Sequence, residues 1–288
     1  MSVALDSTRD YILKLGHITG PGGITVVGGH NVLINGGQVM PVVDSTQADG
    51  YAMRFYDQTG TVHVEGVYID NAGDGILIRA PKATFQLENI RVGNLHAYCD
   101  NFSLNHPDVI QTWSGPAEMR IDRLTGETDY QGFLWARASS SYSYPGRVIQ
   151  KNVNLKPSPL QSCGASLSTF HNLTWHVSSG TYFSCSNCWA LTGWYSTSYR
   201  RKLQDSIGGY DNGNGTYTDP YYSVVGFDGQ VIHDQESWND IGRRQGDYMS
   251  WPTVGNLVNE RWYWGSPSGG DFAPAGLAGT SYVSPGYG

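Results

Sequence analysis

Val62-His-Val-Glu-Gly-Val67 returns 23 residues later as Phe85-Gln-Leu-Glu-Asn-Ile90, and 34 residues after that as Met119-Arg-Ile-Asp-Arg-Leu124. A less complete copy, Val32-Leu-Ile-Asn-Gly-Gly37, lies upstream. Each copy reads apolar, polar, apolar, then a polar turn residue and a further apolar residue, which is typical of a short strand that bends by one residue and resumes. Such a repeat governs the fold of the whole chain, because repeated units stack on one another.

A second pattern recurs in step with the first. Its units are Asp49-Gly-Tyr-Ala-Met-Arg54, Asp74-Gly-Ile-Leu-Ile-Arg79, Asp108-Val-Ile-Gln-Thr-Trp113 and, more weakly, Gln131-Gly-Phe-Leu-Trp-Ala136, at spacings of 25, 34 and 23 residues. The long interval indicates an insertion, from Leu95 to Asn105, that leaves the repeat as a loop. Two strands of each unit therefore recur together.

Repeats of about 23 residues, rich in short strands and tight turns, predict an all-β solenoid. We expect residues 1–188 to form a single-stranded right-handed parallel β-helix. The remaining residues, 189–288, show no period and hold six of the nine tryptophans. They are predicted to form an irregular, aromatic-rich C-terminal arm that packs on the helix or on a neighbouring subunit and covers an exposed strand edge.

The repeat also brings polar residues into a column at the bend. Asn35, Glu65, Glu88 and Asp122 occupy equivalent positions, so they should stack one coil apart, at steps of about 4.8 Å. The structural interpretation is that they brace the corner of each coil. The alternative is glycoside hydrolysis by a carboxyl pair, either Glu65 with Glu88 or Asp108 with Asp122.

Strand alternation places positions two and four after each aspartate inward and positions three and five outward. The outward residues form two columns: Ala52, Leu77, Gln111 and Leu134 in one, and Arg54, Arg79, Trp113 and Ala136 in the other. A face of Arg54, Arg79, Gln111 and Trp113 could hold an acidic sugar through forked hydrogen bonds and ring stacking. The following coil adds three candidate ligand-binding residues, Tyr130, Trp135 and Arg137.

The same face has other interpretations. The two arginines could simply neutralise the stacked Asp49, Asp74 and Asp108, since carboxylates about 5 Å apart repel one another. Those aspartates could also hold a calcium ion, which prefers oxygen ligands. His106, two residues before Asp108, is a candidate general acid or base at the mouth of the insertion, or else a loop hydrogen-bonding residue.

Charge and hydropathy disfavour several functions. A net charge of −7 and a pI near 5.5 argue against nucleic acid as a partner, because phosphate contacts require clustered Lys and Arg. No run of about 18 apolar residues predicts a membrane span. The segment Met1 to Tyr11 lacks the basic and apolar regions of a signal peptide.

Four cysteines, Cys99, Cys163, Cys185 and Cys188, are compatible with two disulfides or with free thiols. Cys185 and Cys188 have the spacing of half a zinc site, but a second CxxC or a nearby HxxxH is missing. A local disulfide or two buried thiols is therefore favoured over zinc, and no metal-ligand set is assigned.

Over roughly residues 10–180, the repeat pattern resembles the pectate-lyase-like right-handed β-helix superfamily. That resemblance implies carboxylates that bind calcium and a basic residue that removes a proton beside a uronate carboxylate. Asp74, Asp108 and Arg79 would take these parts. The paired-Asp, GHG and RIK motifs of polygalacturonase relatives are absent, which argues against hydrolysis by that route.

Read whole, the chain resembles tail-associated β-helix proteins of actinobacterial phages. The resemblance rests on Ser7-Thr-Arg-Asp-Tyr-Ile-Leu-Lys-Leu-Gly16, Thr59-Gly-Thr-Val-His-Val-Glu-Gly66, His106-Pro-Asp-Val-Ile-Gln-Thr-Trp-Ser-Gly115 with Asp129-Tyr-Gln-Gly-Phe133, and Gly279-Thr-Ser-Tyr-Val-Ser-Pro-Gly-Tyr287. It implies a virion protein that recognises a host cell-surface polysaccharide, with a homotrimer or other virion proteins as possible partners. The alternatives are an extracellular polysaccharide lyase or depolymerase and a purely structural spacer.

Overall fold

A computed structural model of the chain describes residues 1–41, 50–96, 107–128, 131–158, 174–176, 182–190, 210–211, 216–218, 261–285 and 287. Across these residues every regular element is a β-strand, which confirms the all-β prediction for them. The strands form two sheets, and nearly all neighbours within each sheet are parallel.

The first sheet has seven strands, all joined in parallel pairs. In spatial order they are β1 (Ser2–Leu5), β4 (Ile24–Gly28), β6 (Tyr51–Tyr56), β8 (Asp74–Arg79), β10 (Asp108–Ser114), β12 (Gln131–Trp135) and β14 (Thr174–His176).

The second sheet has eleven strands. They are β2 (Tyr11–Leu13) and β3 (His17–Ile18), which both pair with β5 (Val32–Val39), followed by β7 (Thr61–Asp70), β9 (Thr84–Leu95), β11 (Glu118–Thr128), β13 (Arg147–Pro157), β15 (Tyr182–Ala190), β18 (Arg261–Trp264), β17 (Thr216–Thr218) and β16 (Tyr210–Asp211). Only the last two pairings, β18 with β17 and β17 with β16, are antiparallel.

From β4 to β15 the chain alternates between the two sheets, and each strand pairs with the strand two further along. This path is compatible with a β-helix. The register agrees with the repeat: Val62 lies opposite Phe85, and Phe85 lies opposite Met119. The column that contains Glu65 and Glu88 is also formed as predicted, with the two residues directly opposite each other.

The bend predicted in each repeat lies one residue after that column. The residues there all have a positive φ: Gly36, Gly66, Asn89, Arg123, Asn152 and Asn187. Glycine and asparagine adopt this left-handed conformation more readily than other residues, so they turn the strand without ending its pairing.

The two sheets share one hydrophobic core, to which successive repeats contribute inward side chains. Phe55 of the first sheet meets Phe85 of the second edge to face, with ring centroids 5.3 Å apart. Trp135 is 1% exposed and packs beside Phe133, at a centroid distance of 5.2 Å. Burial of these aromatic rings supplies much of the free energy that holds the sheets together.

The prediction that Arg54 and Arg79 stack one coil apart is wrong. Arg54 lies opposite Leu77, and Arg79 lies opposite Tyr56, a displacement of two residues. A shift of two keeps the same side chains outward, so hydrophobic alternation cannot detect it. The pairing of Arg79 with Trp113 also fails, because an irregularity after Thr112 brings Ser114 opposite Arg79.

Two residues assigned to the outward columns, Ala52 and Leu77, are fully buried. Ala52 belongs to the main hydrophobic core, so the alternation rule misplaced it. The exposed part of the first sheet's outer face is therefore smaller than the sequence indicated.

The C-terminal segment, residues 265–287, lies against the second sheet. Asp271 accepts hydrogen bonds from Arg91 at 3.0 Å, Asn154 at 2.9 Å and Lys156 at 2.7 Å. Although burial raises the pKa of Asp271, these hydrogen bonds outweigh it and hold the pKa below its usual value. Strand β18 extends the same sheet beyond residue 188, while contact of the arm with another subunit stays a prediction.

Candidate functional site

Three of the predicted sugar-binding residues meet on the first sheet around a tyrosine. The Tyr51 hydroxyl donates to Gln111 Oε1 at 2.7 Å. The Tyr51 ring meets Trp113 edge on, with centroids 6.1 Å apart, and the Arg54 guanidinium carbon lies 5.0 Å from the centre of the Tyr51 ring. We call Tyr51, Arg54, Gln111 and Trp113 the outer-face cluster.

The outer-face cluster has the chemistry of a sugar-binding surface. Arg54, Gln111 and Trp113 are each partly exposed. Because the Gln111 carbonyl oxygen accepts from Tyr51, its NH₂ group is the part of the amide that can donate to a ligand. An indole ring, a guanidinium fork and an amide donor within one patch can stack on a sugar ring and bond its carboxylate and hydroxyl groups.

The sequence did not identify Tyr51 as the centre of this cluster. Alternation assigned it to the core, since it stands two residues after Asp49. Tyr51 is 6% exposed, yet its contacts are with the outward Gln111 and Trp113. It is the first residue of β6, where the alternation of a strand is least constrained.

A carboxyl pair adjoins the outer-face cluster. Asp74 begins β8 opposite Tyr51, and its Oδ1 accepts a 2.8 Å hydrogen bond from the backbone N–H of Asp108, which begins β10. Asp74 is 4% exposed and Asp108 1%. Burial, followed by the negative charge of Asp74, raises the pKa of Asp108 well above its ordinary value. The pair therefore favours one protonated acid beside one carboxylate.

Asp108→Asn is expected to stabilise the protein at neutral pH. A carboxyl whose pKa is raised on folding contributes stability below its unfolded pKa, about 3.9, and loses it as the pH rises through the folded value. Asparagine has no charge to bury, and the backbone N–H of residue 108 still reaches Asp74. Urea unfolding should show the variant gaining stability over wild type at pH 7.5 but not at pH 4.

Asp122→Asn is the control for this pH effect, because Asp122 lies on the second sheet, 3.7 Å from Lys151 Nζ, and accepts a hydrogen bond from Asn152. It should show no gain at pH 7.5. An Asp108→Asn gain of equal size at both pH values would contradict the burial of an ionisable Asp108.

Arg79, the candidate base, lies away from the carboxyl pair. Its guanidinium stacks 4.3 Å from the ring centre of Tyr56, and its Nη2 lies 3.5 Å from Asp57 Oδ2. Five residues of extended strand separate it from Asp74, a distance of about 16 Å. Asp74, Asp108 and Arg79 are therefore not brought together as one catalytic centre.

The remaining candidates are dispersed. Trp135 is buried in the core and cannot meet a ligand at the surface. Arg137 is exposed and stacks 4.5 Å from the ring centre of Tyr144. His106 and Tyr130 lie outside the described residues, as does Asp49, so the calcium ladder that includes Asp49 stays a prediction.

A second polar cluster lies on the second sheet, facing away from the core. His63 Nε2 is 3.5 Å from Glu88 Oε2 and 3.9 Å from Glu65 Oε2, and all three side chains are completely buried. Two tyrosines of the C-terminal segment cover them. Tyr287 Oη lies 2.8 Å from His63 Nδ1, and Tyr282 Oη donates to Glu65 Oε1 at 2.6 Å.

This buried cluster bears on the carboxyl pairs considered for hydrolysis. Glu65 and Glu88 are neighbours, but both have no solvent exposure, so neither can meet a polysaccharide in this structure. Asp108 and Asp122 lie on different sheets. Sequence reasoning treated Glu65 and Glu88 as corner braces and overlooked His63, whose only signal is a polar side chain between two core valines.

Cys185 and Cys188 form a disulfide within β15, which confirms the preference for a local disulfide at this CxxC. Cys99 and Cys163 lie outside the described residues.

Comparisons with protein-family models, with curated proteins and with solved structures found no match. Among the described residues, no helix has the length and apolar character needed to cross a bilayer. The function is therefore argued from the geometry of the chain alone.

Proposed function

We propose that this chain is a virion protein, a single-stranded right-handed parallel β-helix whose first sheet recognises a host cell-surface polysaccharide. Support for the helix comes from the alternation of strands between two parallel sheets from β4 to β15. Support for its hand comes from the strong general preference of parallel crossover connections for right-handed paths. The Cys185–Cys188 disulfide is compatible with a location outside the reducing cytosol, in a virion or an extracellular space.

The observation that carries the functional proposal is the convergence of Arg54, Gln111 and Trp113 on Tyr51. Tyr51 spans from β6 to β10 and so fixes one indole, one amide and one guanidinium in relative position. A ligand that combines an apolar ring face with hydroxyl and carboxylate groups matches these three side chains. Acidic polysaccharides have this chemistry, so an acidic glycan is the proposed ligand.

Trp113→Ala is expected to weaken glycan binding about 10- to 100-fold, because loss of an aromatic stacking surface costs about 1–3 kcal/mol. A glycan array with the full chain identifies the ligand, and calorimetry with that glycan measures the change. Arg54→Ala should have its largest effect on ligands that carry a carboxylate.

Two variants serve as controls for this experiment. Tyr142→Ala removes a partly exposed aromatic ring from outside the outer-face cluster, and Arg9→Ala removes an exposed positive charge near the N-terminus. Both should leave the affinity unchanged. Equal affinities in all four variants, or no glycan bound at all, would contradict the proposal and favour a structural spacer.

A second candidate function is a polysaccharide lyase or depolymerase, which the carboxyl pair beside the outer-face cluster favours. Incubation with uronate polymers and calcium would then yield unsaturated ends that absorb in the ultraviolet. Asp108→Asn should abolish that signal. Arg79→Ala should leave it intact, because Arg79 lies about 16 Å from Asp74 along β8.

A further inference from the structure

We propose that His63, Glu65 and Glu88 bind one divalent transition-metal ion, with zinc as the first candidate, beneath the C-terminal segment. This inference does not rest on the proposed glycan function, and it concerns the opposite sheet. His63 and Glu65 come from β7 and Glu88 from the paired strand β9.

The spacing of the three groups fits a metal ion. One ligand atom from each side chain lies within 4.8 Å of the other two, and the two separations from His63 Nε2 are 3.5 Å and 3.9 Å. Zinc binds nitrogen and oxygen at about 2.0–2.2 Å, which places tetrahedral ligands roughly 3.4 Å from one another. Side-chain movements on the order of 1 Å or less would complete three bonds to an ion between them.

The tyrosines orient the ligand atoms toward this point. Tyr287 Oη pairs with His63 Nδ1, so Nε2 is the imidazole nitrogen that faces the carboxylates. Tyr282 bonds Oε1 of Glu65, so Oε2 is the oxygen that faces His63. Metal-binding histidines and carboxylates in proteins usually have such outer hydrogen bonds, which fix the orientation of each ligand.

One of these ligand atoms is otherwise unsatisfied. Glu65 Oε2 is completely buried and has no hydrogen-bond partner among the described residues. A buried carboxylate oxygen without a partner is costly, and a bound cation would remove that cost. Two buried carboxylates also match the charge of one divalent ion.

The ligand set selects the type of ion. Calcium takes six to eight oxygen ligands, whereas this cluster offers an imidazole nitrogen and two carboxylates. Zinc and similar first-row ions accept that mixture, with a fourth position for water. Because Tyr282 and Tyr287 bond the ligands, the ion would also hold the C-terminal segment against β7 and β9.

Metal binding can be measured directly on the full chain. After dialysis against a chelator, titration with zinc in a calorimeter should give one ion per chain, verified by elemental analysis. Glu65→Gln and Glu88→Gln, which preserve side-chain size, should each weaken binding by at least about 100-fold. Tyr287→Phe should weaken it about 10- to 100-fold, the usual effect of losing an outer hydrogen bond to a ligand.

Asp122→Asn is the matched control, because Asp122 lies in the same column as Glu88, on the next strand, but is bonded to Asn152. Its zinc affinity should equal that of wild type. Binding that survives both glutamate substitutions, or that Asp122→Asn weakens equally, would overturn the proposal. So would a wild-type chain that binds no zinc.

X-ray absorption of the zinc-loaded wild-type chain requires no substitution, so it remains decisive if a glutamate variant does not fold. The proposed site predicts one imidazole among nitrogen and oxygen neighbours. Two or more imidazoles, or a sulfur neighbour, would place the zinc elsewhere and contradict the assignment.

Discussion

Gly66→Ala is expected to destabilise the protein by about 2–5 kcal/mol. Gly66 has a φ of 66°, in the left-handed region that costs other residues about 1–2 kcal/mol. In addition, a methyl group at this position would fall inside the ring of Tyr282. The ring would have to move, which also breaks its hydrogen bond to Glu65.

Gly16→Ala separates the two contributions. Gly16 has a similar φ, 59°, but nothing lies within 4 Å of the added methyl group. Urea unfolding should therefore show a loss of only about 1–2 kcal/mol for Gly16→Ala. Equal losses in the two variants would mean that Tyr282 does not pack on Gly66.

Glu118→Leu should cost about 3–5 kcal/mol, because it takes the carboxylate from a buried arginine. Arg120 is 1% exposed, and its Nε donates to Glu118 Oε1 at 2.7 Å. The other Glu118 oxygen accepts from Arg147 Nη2 at 2.5 Å. Arg147 is a third exposed and can turn to solvent, whereas Arg120 cannot.

The double variant Glu118→Leu/Arg120→Met tests this reason. Replacing both members of a buried ion pair by apolar residues of similar size is often close to neutral. Thermal and urea unfolding should therefore show most of the lost stability restored. A double variant no more stable than Glu118→Leu would show that the loss comes from altered packing and not from the buried charge.

Much of the fold was predictable because strand alternation and the bend act together. Inward valines alone would allow a slip of two residues, but the turn at Gly66 and Asn89 has one position in each repeat and fixes the register of β7 on β9. Strand β6 has no equivalent bend residue in the second pattern. Its register on β8 was therefore misjudged by two residues, and Arg54 was placed beside Arg79.

The candidate sites were less predictable, because they depend on contacts between distant residues. Alternation along β10 places Gln111 and Trp113 on one face, but the role of Tyr51 comes from its hydroxyl reaching across to another strand. The buried cluster at His63 involves Tyr282 and Tyr287, and no local pattern links them to the repeat. Tyr287 lies 224 residues from His63 in the sequence.

A crystal structure of the full chain tests most directly the central claim, that residues one repeat apart are neighbours in space. It should place Val62, Phe85 and Met119 on successive parallel strands of one sheet, at steps of about 4.8 Å. It should also show Tyr51 in contact with Trp113. If those three residues lay in separate sheets or on helices, the repeat alignment and both candidate sites would be contradicted together.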